Sequence, residues 1–381
     1  MKPLLFKSIV LFLLSTITLF AQEKIVFKDS FDVKDISIIN LDLKNIPVQI
    51  LPSLDDTIII DFSVKYKNFS KKELEKILPK VEIKKSQNKN VLSIKIHSNE
   101  TISSAYYDYV SDVELKIDGL KLFETKKRDD KFKRKTKQEV LKELARKGLE
   151  EESVIDVLLK KIKENKETRS YLPRFVLYIP ERLIFKIKAD ETRIELKHSC
   201  ANKMILEMNK GSFTAKKLTN STINITDASL KVQYIGKGNF DLKNASTSLI
   251  GSIKSTKLKM DSSFLKIGEI GEIVEINDFN SEIFLYNFTS NFKQFNFTGE
   301  YSKIHFYKLK NDYSFKVIGN NTLSKMGDFT VSMQPTKTGK KFTMMERKKK
   351  KKGIYAGHID FDIIHGIIYS HNETFIKSKT P

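Results

Sequence analysis

The chain lacks most of the features that would mark an enzyme or a disulfide-bonded protein. Cys200 is the only cysteine among 381 residues, so no intramolecular disulfide can form and core burial must hold the fold. No nucleophile elbow, phosphate loop or dinucleotide fingerprint is present, and none of the six histidines has a metal-site spacing. The sequence therefore predicts no catalytic residue, no metal and no cofactor.

Acidic residues are too few to balance the basic ones. Lysine and arginine number 68 against 47 aspartates and glutamates, which gives a net charge of +21. Such an excess favours anionic partners. We expect acidic polysaccharide, lipid head groups or an envelope protein, and no nucleic acid, because an exported protein seldom meets it. The alternative is that lysine only keeps a β-rich surface soluble and protects its edges.

The N-terminus has the pattern of a secretory signal peptide, predicted at residues 1–21. Lys2 and Lys7 precede the apolar run Ile9 to Phe20, and the small residue Ala21 ends it. No later segment reaches the roughly 20 apolar residues that a membrane span needs. The protein is therefore expected to be exported, periplasmic or extracellular, with a net charge of +19 once Lys2 and Lys7 are removed; an uncleaved N-terminal anchor is the alternative.

Two interleaved series of short alternating segments recur from residue 173 onward. In most of them two apolar residues flank a polar one, which is the period of a strand with one buried face. Successive members of a series start 16 to 21 residues apart. The first series is Ile187-Lys188-Ala189, Leu206-Glu207-Met208, Ile223-Asn224-Ile225, Phe240-Asp241-Leu242, Leu258-Lys259-Met260, Val274-Glu275-Ile276, Phe295-Asn296-Phe297 and Phe315-Lys316-Val317. The second is Leu177-Tyr178-Ile179, Ile194-Glu195-Leu196, Phe213-Thr214-Ala215, Leu230-Lys231-Val232, Leu249, Leu265-Lys266-Ile267, Ile283-Phe284-Leu285 and Ile304-His305-Phe306.

These spacings leave only a few residues for each corner, too few for a helix in each repeat. The predicted fold is therefore all-β, a single-chain parallel β-solenoid with two strands per coil of about 16–21 residues. A serine stands just before the second-series strand in six repeats and is expected to form a ladder; these are Ser212, Ser229, Ser248, Ser263, Ser281 and Ser302. Asparagine between strands is expected to supply left-handed corner residues, which would explain a glycine count of only 15.

The predicted domains are the N-terminal β coils at 22–117, a basic insertion at 118–172, the main β-solenoid at 173–372 and a tail at 373–381. The insertion is predicted to be an α-helical hairpin, because Thr136 and Glu139 form a capping box before the first of two apolar stripes. It could pack on the solenoid or bind a partner protein. The candidate partner-binding residues on its helices are Val140, Leu144, Val154, Leu158 and Ile162.

A cationic run late in the chain is the second candidate contact. It is expected to be a solvated loop or a contact for an anionic glycan or lipid, and comprises Arg347, Lys348, Lys349, Lys350, Lys351 and Lys352. Beyond it, Ile359-Asp360-Phe361 and Ile367-Ile368-Tyr369 are predicted to close the array.

The chain resembles the bacterial family of secreted, adhesin-like β-solenoids. The residues that carry the resemblance are the exported start, the strand pair Leu41 to Ile50, the Leu177-Tyr178-Ile179-Pro180 segment and the serine-bearing repeats. It covers residues 30–117 and 173–372 and has no diagnostic catalytic motif. It implies a β-solenoid and an adhesin-like role, in a family whose members largely lack an assigned activity. The helical insertion and the lysine run depart from the family pattern.

The leading hypothesis is a non-enzymatic envelope or extracellular protein that presents a basic β-solenoid surface to an anionic glycan, lipid or protein. One alternative is a polysaccharide-degrading enzyme on a β-helix, for which Asp190, Glu191 and Arg193 are the candidate cluster. A second alternative is a periplasmic scaffold that binds a protein through the helical insertion.

Overall fold

The structure, a computed structural model, describes residues 22–67, 69, 72, 74–75, 78, 80–99, 105–109, 116–117, 120–121, 167–307, 313–326, 329–334, 342–347 and 357–371. The predicted signal peptide and the predicted tail lie outside these residues. The described chain is almost entirely β. Its strands are β1 Gln22–Asp32, β2 Ile38–Lys44, β3 Pro47–Pro52, β4 Thr57–Lys67, β5 Val81–Asn88, β6 Val91–Ser98, β7 Ala105–Tyr109, β8 Lys116–Ile117, β9 Leu120–Lys121, β10 Glu167–Ile179, β11 Ile184–Lys243, β12 Thr247–Asp261, β13 Phe264–Phe279, β14 Glu282–Phe288, β15 Gln294–Glu300, β16 Lys303–Tyr307, β17 Tyr313–Asn320, β18 Thr322–Met326, β19 Phe329–Met333, β20 Phe342–Arg347, β21 Gly357–Ile364 and β22 Ile367–His371.

The chain divides into two compact units. The first comprises residues 1–28, 61–79 and 102–175, and in it the start of β10 pairs antiparallel with β7. Its core includes the stacked rings of Phe62 and Phe175, whose centroids are 5.1 Å apart. The second unit comprises residues 29–60, 80–101 and 176–381 and contains both predicted series.

Strands of the second unit pair in parallel with their counterparts one repeat away. In the first series, Leu41 pairs with Ile187, and Phe240 pairs with Leu258. In the second series Leu265 pairs with Ile283, and Ile283 with Ile304. Alternate residues are buried along these strands, so apolar side chains return to the same column in each repeat. The predicted parallel stacking is confirmed for these pairs.

Three positions of the predicted register are wrong. Leu177 was expected to stack on Ile194, but β3 lies between the two strands, and its Ile50 pairs with Leu177 and Leu196. Leu249 was expected to face inward, but Ser248 is the partner of both Leu230 and Leu265 and is fully buried, whereas Leu249 faces outward. One residue of slip exchanges the faces of a strand, and here a serine takes the inward place. Leu258 pairs with Ile276 and not with Val274, because an extra residue enters β13 opposite Ile253 and Ser255 of β12.

The last repeat does not follow the others at the end of the stack. Strands β21 and β22 pair with β15 and β16 on one side and with β17 and β18 on the other. The expectation that Phe315 follows Phe295 is therefore wrong, since Ile359 pairs with both. Strand β20 pairs with β17, and β19 with β18, both antiparallel.

The predicted helical hairpin lies outside the described residues, and so do its candidate residues Val140, Leu144, Val154, Leu158 and Ile162. The strand β10 begins at Glu167, within the C-terminal end of the predicted insertion at 118–172. Residues 167–171 show no apolar alternation and are extended because they pair with Ala105–Tyr109. In the N-terminal part, the strand pair predicted between Leu41 and Ile50 is present as β2 and β3.

Each corner that leads from a first-series strand to the next second-series strand contains a residue in the left-handed backbone region. Asparagine supplies four of these residues, as predicted, but other side chains supply the rest. In chain order they are Asn45, Glu191, Lys210, Asp227, Asn244, Ser262, Asn280, Tyr301, Asn321 and His365. The residue that follows is usually small and buried, as at Thr192, Ala228, Ala245, Ser263, Ser281, Ser302, Thr322 and Gly366.

Hydroxyl groups at these buried corner positions stabilise the turn. The Ser263 Oγ donates to the Asp261 carbonyl at 2.8 Å and accepts the Ala245 N–H at 3.0 Å. The Ser281 Oγ in turn accepts the Ser263 N–H at 2.9 Å. The predicted serine ladder is therefore confirmed for Ser263 and Ser281, with Ser302 next in the same column. It is wrong for Ser212, Ser229 and Ser248, which do not occupy the position after the left-handed residue.

Asp278 is buried at the corner beside Ser302, and this makes stability pH-dependent. Burial raises the pKa of its carboxyl, against hydrogen bonds from Ser281 and Ser302 that lower it. Because the pKa in the folded state lies above that in the unfolded chain, stability is lost as pH rises through the folded-state pKa. Replacing Asp278 by Asn (D278N) should therefore raise Tm at neutral pH and have a much smaller effect at acid pH. The measurement is thermal unfolding of the mature chain from acid to neutral pH, with Asp241→Asn as a surface control. A change in Tm that does not depend on pH would contradict this prediction.

Phe361 of β21 contacts the rings of Phe295, Phe297, Phe306 and Phe315, with centroids 5.6 to 6.2 Å apart. Phe361 therefore packs between the two neighbouring repeats, those of β15 and β17. Phe361→Ala should cost about 3–5 kcal/mol of local stability and expose β17 and β18 to solvent together. Hydrogen exchange should show faster exchange in residues 313–326 and unchanged protection in residues 204–243, since repeat arrays unfold locally. Leu206→Ala is the control, and unchanged exchange in residues 313–326 of the Phe361 variant would refute the predicted dependence.

Candidate functional site

One outward row on the second-series side carries aromatic and cationic side chains at consecutive strand positions. We call it the outer row; its members, in spatial order, are Lys231, Leu249, Lys266, Phe284, His305, Tyr369 and Lys325. Each member is flanked along its strand by inward-facing residues, for example His305 by the fully buried Ile304 and the buried Phe306. Parallel in-register pairing therefore places these seven side chains side by side.

The rings of the outer row stack face to face. The centroids of Phe284 and His305 are 4.2 Å apart with an interplanar angle of 4°, and those of His305 and Tyr369 are 4.6 Å apart with an angle of 5°. These distances are close to the spacing of neighbouring strands, about 4.8 Å. The ring faces are thus covered by one another, and the row presents ring edges, the phenol oxygen and imidazole atoms to solvent.

Lysines lie at both ends of this ring stack. The Lys266 ammonium is 5.1 Å from the centroid of Phe284, and the Lys325 ammonium is 5.1 Å from that of Tyr369. Both distances fall within the range of cation–π attraction. Positive charge therefore lies at both ends of the ring stack.

A second row runs beside the outer row, two residues further along each strand. Its rings are Tyr286, Tyr307 and His371, with centroid distances of 5.1 Å and 4.5 Å between neighbours. Burial raises the pKa of Tyr286, and the neighbouring Tyr307 adds to the effect. The phenol therefore stays protonated at neutral pH and can donate a hydrogen bond.

His305 links the two rows. Its Nε2 lies 3.2 Å from Glu282 Oε1, and its Nδ1 lies 3.3 Å from His371 Nε2. Burial lowers the pKa of His305 more than Glu282 raises it, so the ring is neutral at pH 7. A neutral His305 that donates from Nε2 to Glu282 must accept at Nδ1, which assigns the donor in the second contact to His371. The pair is thus held in one orientation.

The first-series side differs in its charge pattern. The Lys257 ammonium lies 3.0 Å from Glu275, and the Lys259 ammonium lies 3.7 Å from Asp241. Each pair joins neighbouring repeats, so these two lysines are locally neutralised. The outer row, where Lys266 and Lys325 lie over rings, is better suited to attract an anion.

Of the predicted site residues, Arg347 lies within the described part of the chain, and the role of the others stays a prediction. Arg347 ends β20, where its backbone pairs with Ser314, and Lys348 to Lys352 lie outside the described residues.

The sequence analysis did not predict the outer row as a site, although one signal for it was present in the sequence. The middle residue of the second-series segments is polar in nearly every repeat but is Phe284 in one of them, an apolar residue at an outward position.

The Asp190 cluster forms ion pairs at a corner. Asp190 lies 3.5 Å from the Lys44 ammonium and accepts a 2.9 Å hydrogen bond from Asn209, while Glu191 is 3.0 Å from Lys210. Hydrogen bonding to Glu191 raises the pKa of Lys210, which keeps that pair charged.

Among the described residues, no three His, Cys, Asp or Glu side chains are grouped so that they could hold a metal. Within the same residues, no helix has the length and apolar character required to cross a membrane.

No protein-family model matches the chain, and no curated protein matches it. Among solved structures, the chain is similar to a "putative cell adhesion protein" from Clostridium sporogenes, with 11% sequence identity over 93% of this chain and 100% of that chain. The TM-score is 0.20, and at that value the two structures share too little geometry for one to inform the function of the other.

Proposed function

We propose that the protein is an exported, adhesin-like β-solenoid without enzymatic activity, and that its outer row binds an anionic polysaccharide. The observation that carries this proposal is the row itself, in which rings and lysines occupy consecutive strand positions on one face. Export is inferred from the signal-peptide pattern of residues 1–21, and the solenoid from the parallel pairing of successive repeats.

The dimensions of the row favour a chain-like ligand over a folded protein. Lys266 and Lys325 are four strand steps apart, which corresponds to about 19 Å, and the centres of the two ring rows are about 7 Å apart. A stable protein interface buries about 800 Å² on each partner, which such a narrow strip cannot supply. A short stretch of polysaccharide fits a strip of this length and width.

The chemistry of the row suits a carboxylated sugar. Lysines at the two ends of the ring stack can pair with carboxylates, and the phenols between them can exchange hydrogen bonds with sugar hydroxyls. Positive charge on a row of stacked rings also draws anions by long-range attraction that salt screens. Binding is therefore expected to weaken as ionic strength rises.

Replacing both end lysines, Lys266→Gln with Lys325→Gln, should weaken binding to polygalacturonate about tenfold, or about 1.4 kcal/mol. The matched control is Lys257→Gln with Lys259→Gln on the first-series side, which removes the same charge. Binding of the mature chain to polygalacturonate and to uncharged dextran, measured by calorimetry at low and high ionic strength, is the test. An equal loss in the control variant, or absence of binding to polygalacturonate by the unaltered chain at low salt, would refute the proposal.

A further inference from the structure

Tyr301 is a bulky residue in a backbone conformation that most other repeats give to smaller or more flexible side chains. Its φ is 56°, in the left-handed region, where the corresponding corner residues include Asn244, Ser262, Asn280 and Asn321. Side chains with a Cβ are strained there, and asparagine tolerates the region best among them. Tyr301 is also 49% exposed, so core packing does not explain why a large ring occupies this corner.

The surrounding corner holds Tyr301 in place despite the strain. Its N–H donates to the Ile364 carbonyl at 3.0 Å. The next residue, Ser302, is buried and donates from its Oγ to Asp278 Oδ2 at 2.5 Å. A strained residue that is fixed by buried neighbours and exposed at its tip is the arrangement expected where the side chain serves a ligand.

Tyr301 is the centre of an exposed row of rings, which we call the corner ridge and which consists of Phe279, Tyr301 and His365. The centroids of Phe279 and Tyr301 are 5.9 Å apart in an edge-to-face arrangement, and those of Tyr301 and His365 are 5.2 Å apart and stacked. Phe279 is 47% exposed. The ridge thus presents apolar ring surface and a phenol to solvent.

The corner ridge and the ring part of the outer row belong to the same three repeats. Along the chain, Phe279 precedes Phe284, Tyr301 precedes His305, and His365 precedes Tyr369, each pair across one corner. On one side the corner ridge and the stacked rings of the outer row end at the repeat that carries Ser262 and Lys266, where Phe264 still lies 5.5 Å from Phe284; on the other side they end at Asn321 and Lys325. Rings of the same three repeats on both sides of a corner indicate one continuous surface.

We propose that the corner ridge is a second part of the ligand site, and that a carboxylated polysaccharide passes around the corner from the outer row to the ridge. This inference rests on the proposed function and adds a division of roles. The outer row supplies charge, which salt screens. The ridge supplies apolar contact with sugar C–H groups and a phenol hydrogen bond, which salt affects little.

Tyr301→Asn separates binding from stability, because asparagine is the residue that four other corners use. We expect Tm to be unchanged or higher, since backbone strain is relieved, and affinity for polygalacturonate to fall about tenfold. The dependence of affinity on salt should stay the same, whereas the Lys266 and Lys325 double variant should reduce that dependence. Calorimetric titration at several ionic strengths and thermal unfolding of the mature chain measure both effects.

Ser262→Asn is the matched control, because it changes the corresponding corner of a neighbouring repeat that has no ridge ring. Its affinity should equal that of the unaltered chain, and its Tm should be unchanged or higher for the same reason as in Tyr301→Asn. A Tyr301→Asn chain with lower Tm and undiminished affinity would show that the ridge is structural and overturn the inference alone. Failure of the unaltered chain to bind polygalacturonate would overturn the inference and the proposed function together.

Discussion

Parallel, in-register pairing between repeats is the constraint on which the other features of the second unit depend. It aligns each residue with its counterpart one repeat away, at about 4.8 Å. Inward residues such as Leu265, Ile283 and Ile304 therefore form continuous apolar columns. Outward residues are aligned just as strictly, so a ring in one repeat stacks on whatever the next repeat presents. The core and the outer row are consequences of the same register.

The corners impose a second constraint, because each strand pair must turn within a few residues while neighbouring backbones stay in contact. A left-handed residue makes the turn, and a small residue follows it where the next backbone is close. At Gly211, with φ of 102°, an added Cβ would lie only 2.0 Å from the Thr192 carbonyl oxygen. Serine and threonine fit where a hydroxyl can reach the carbonyl two residues earlier, as Ser263 and Thr192 do. Corner composition thus follows from space and hydrogen bonding together.

Alternation and spacing were sufficient to predict the strands and most of their parallel partners, because both depend on local burial patterns. They could not predict that Ser248 takes an inward place, since that depends on the residues above and below it. They also could not place β21 between β15 and β17, because its alternation fits any position in the stack. The outer row was not predicted because outward residues carry no periodic signal of their own. Only the apolar Phe284 at an outward position pointed to it.

Net charge alone does not locate a binding surface on this protein. Lysine is spread over both sides, but on the first-series side it pairs with carboxylates of neighbouring repeats, as Lys257 does with Glu275. Exposed pairs of this kind contribute little to stability, yet they cancel the local field that an anion would experience. Over the ring stack the attraction between Lys266 and Phe284 leaves the positive charge of the ammonium uncancelled. The arrangement of partners around each lysine, and not the number of lysines, therefore determines which face can attract an acidic chain.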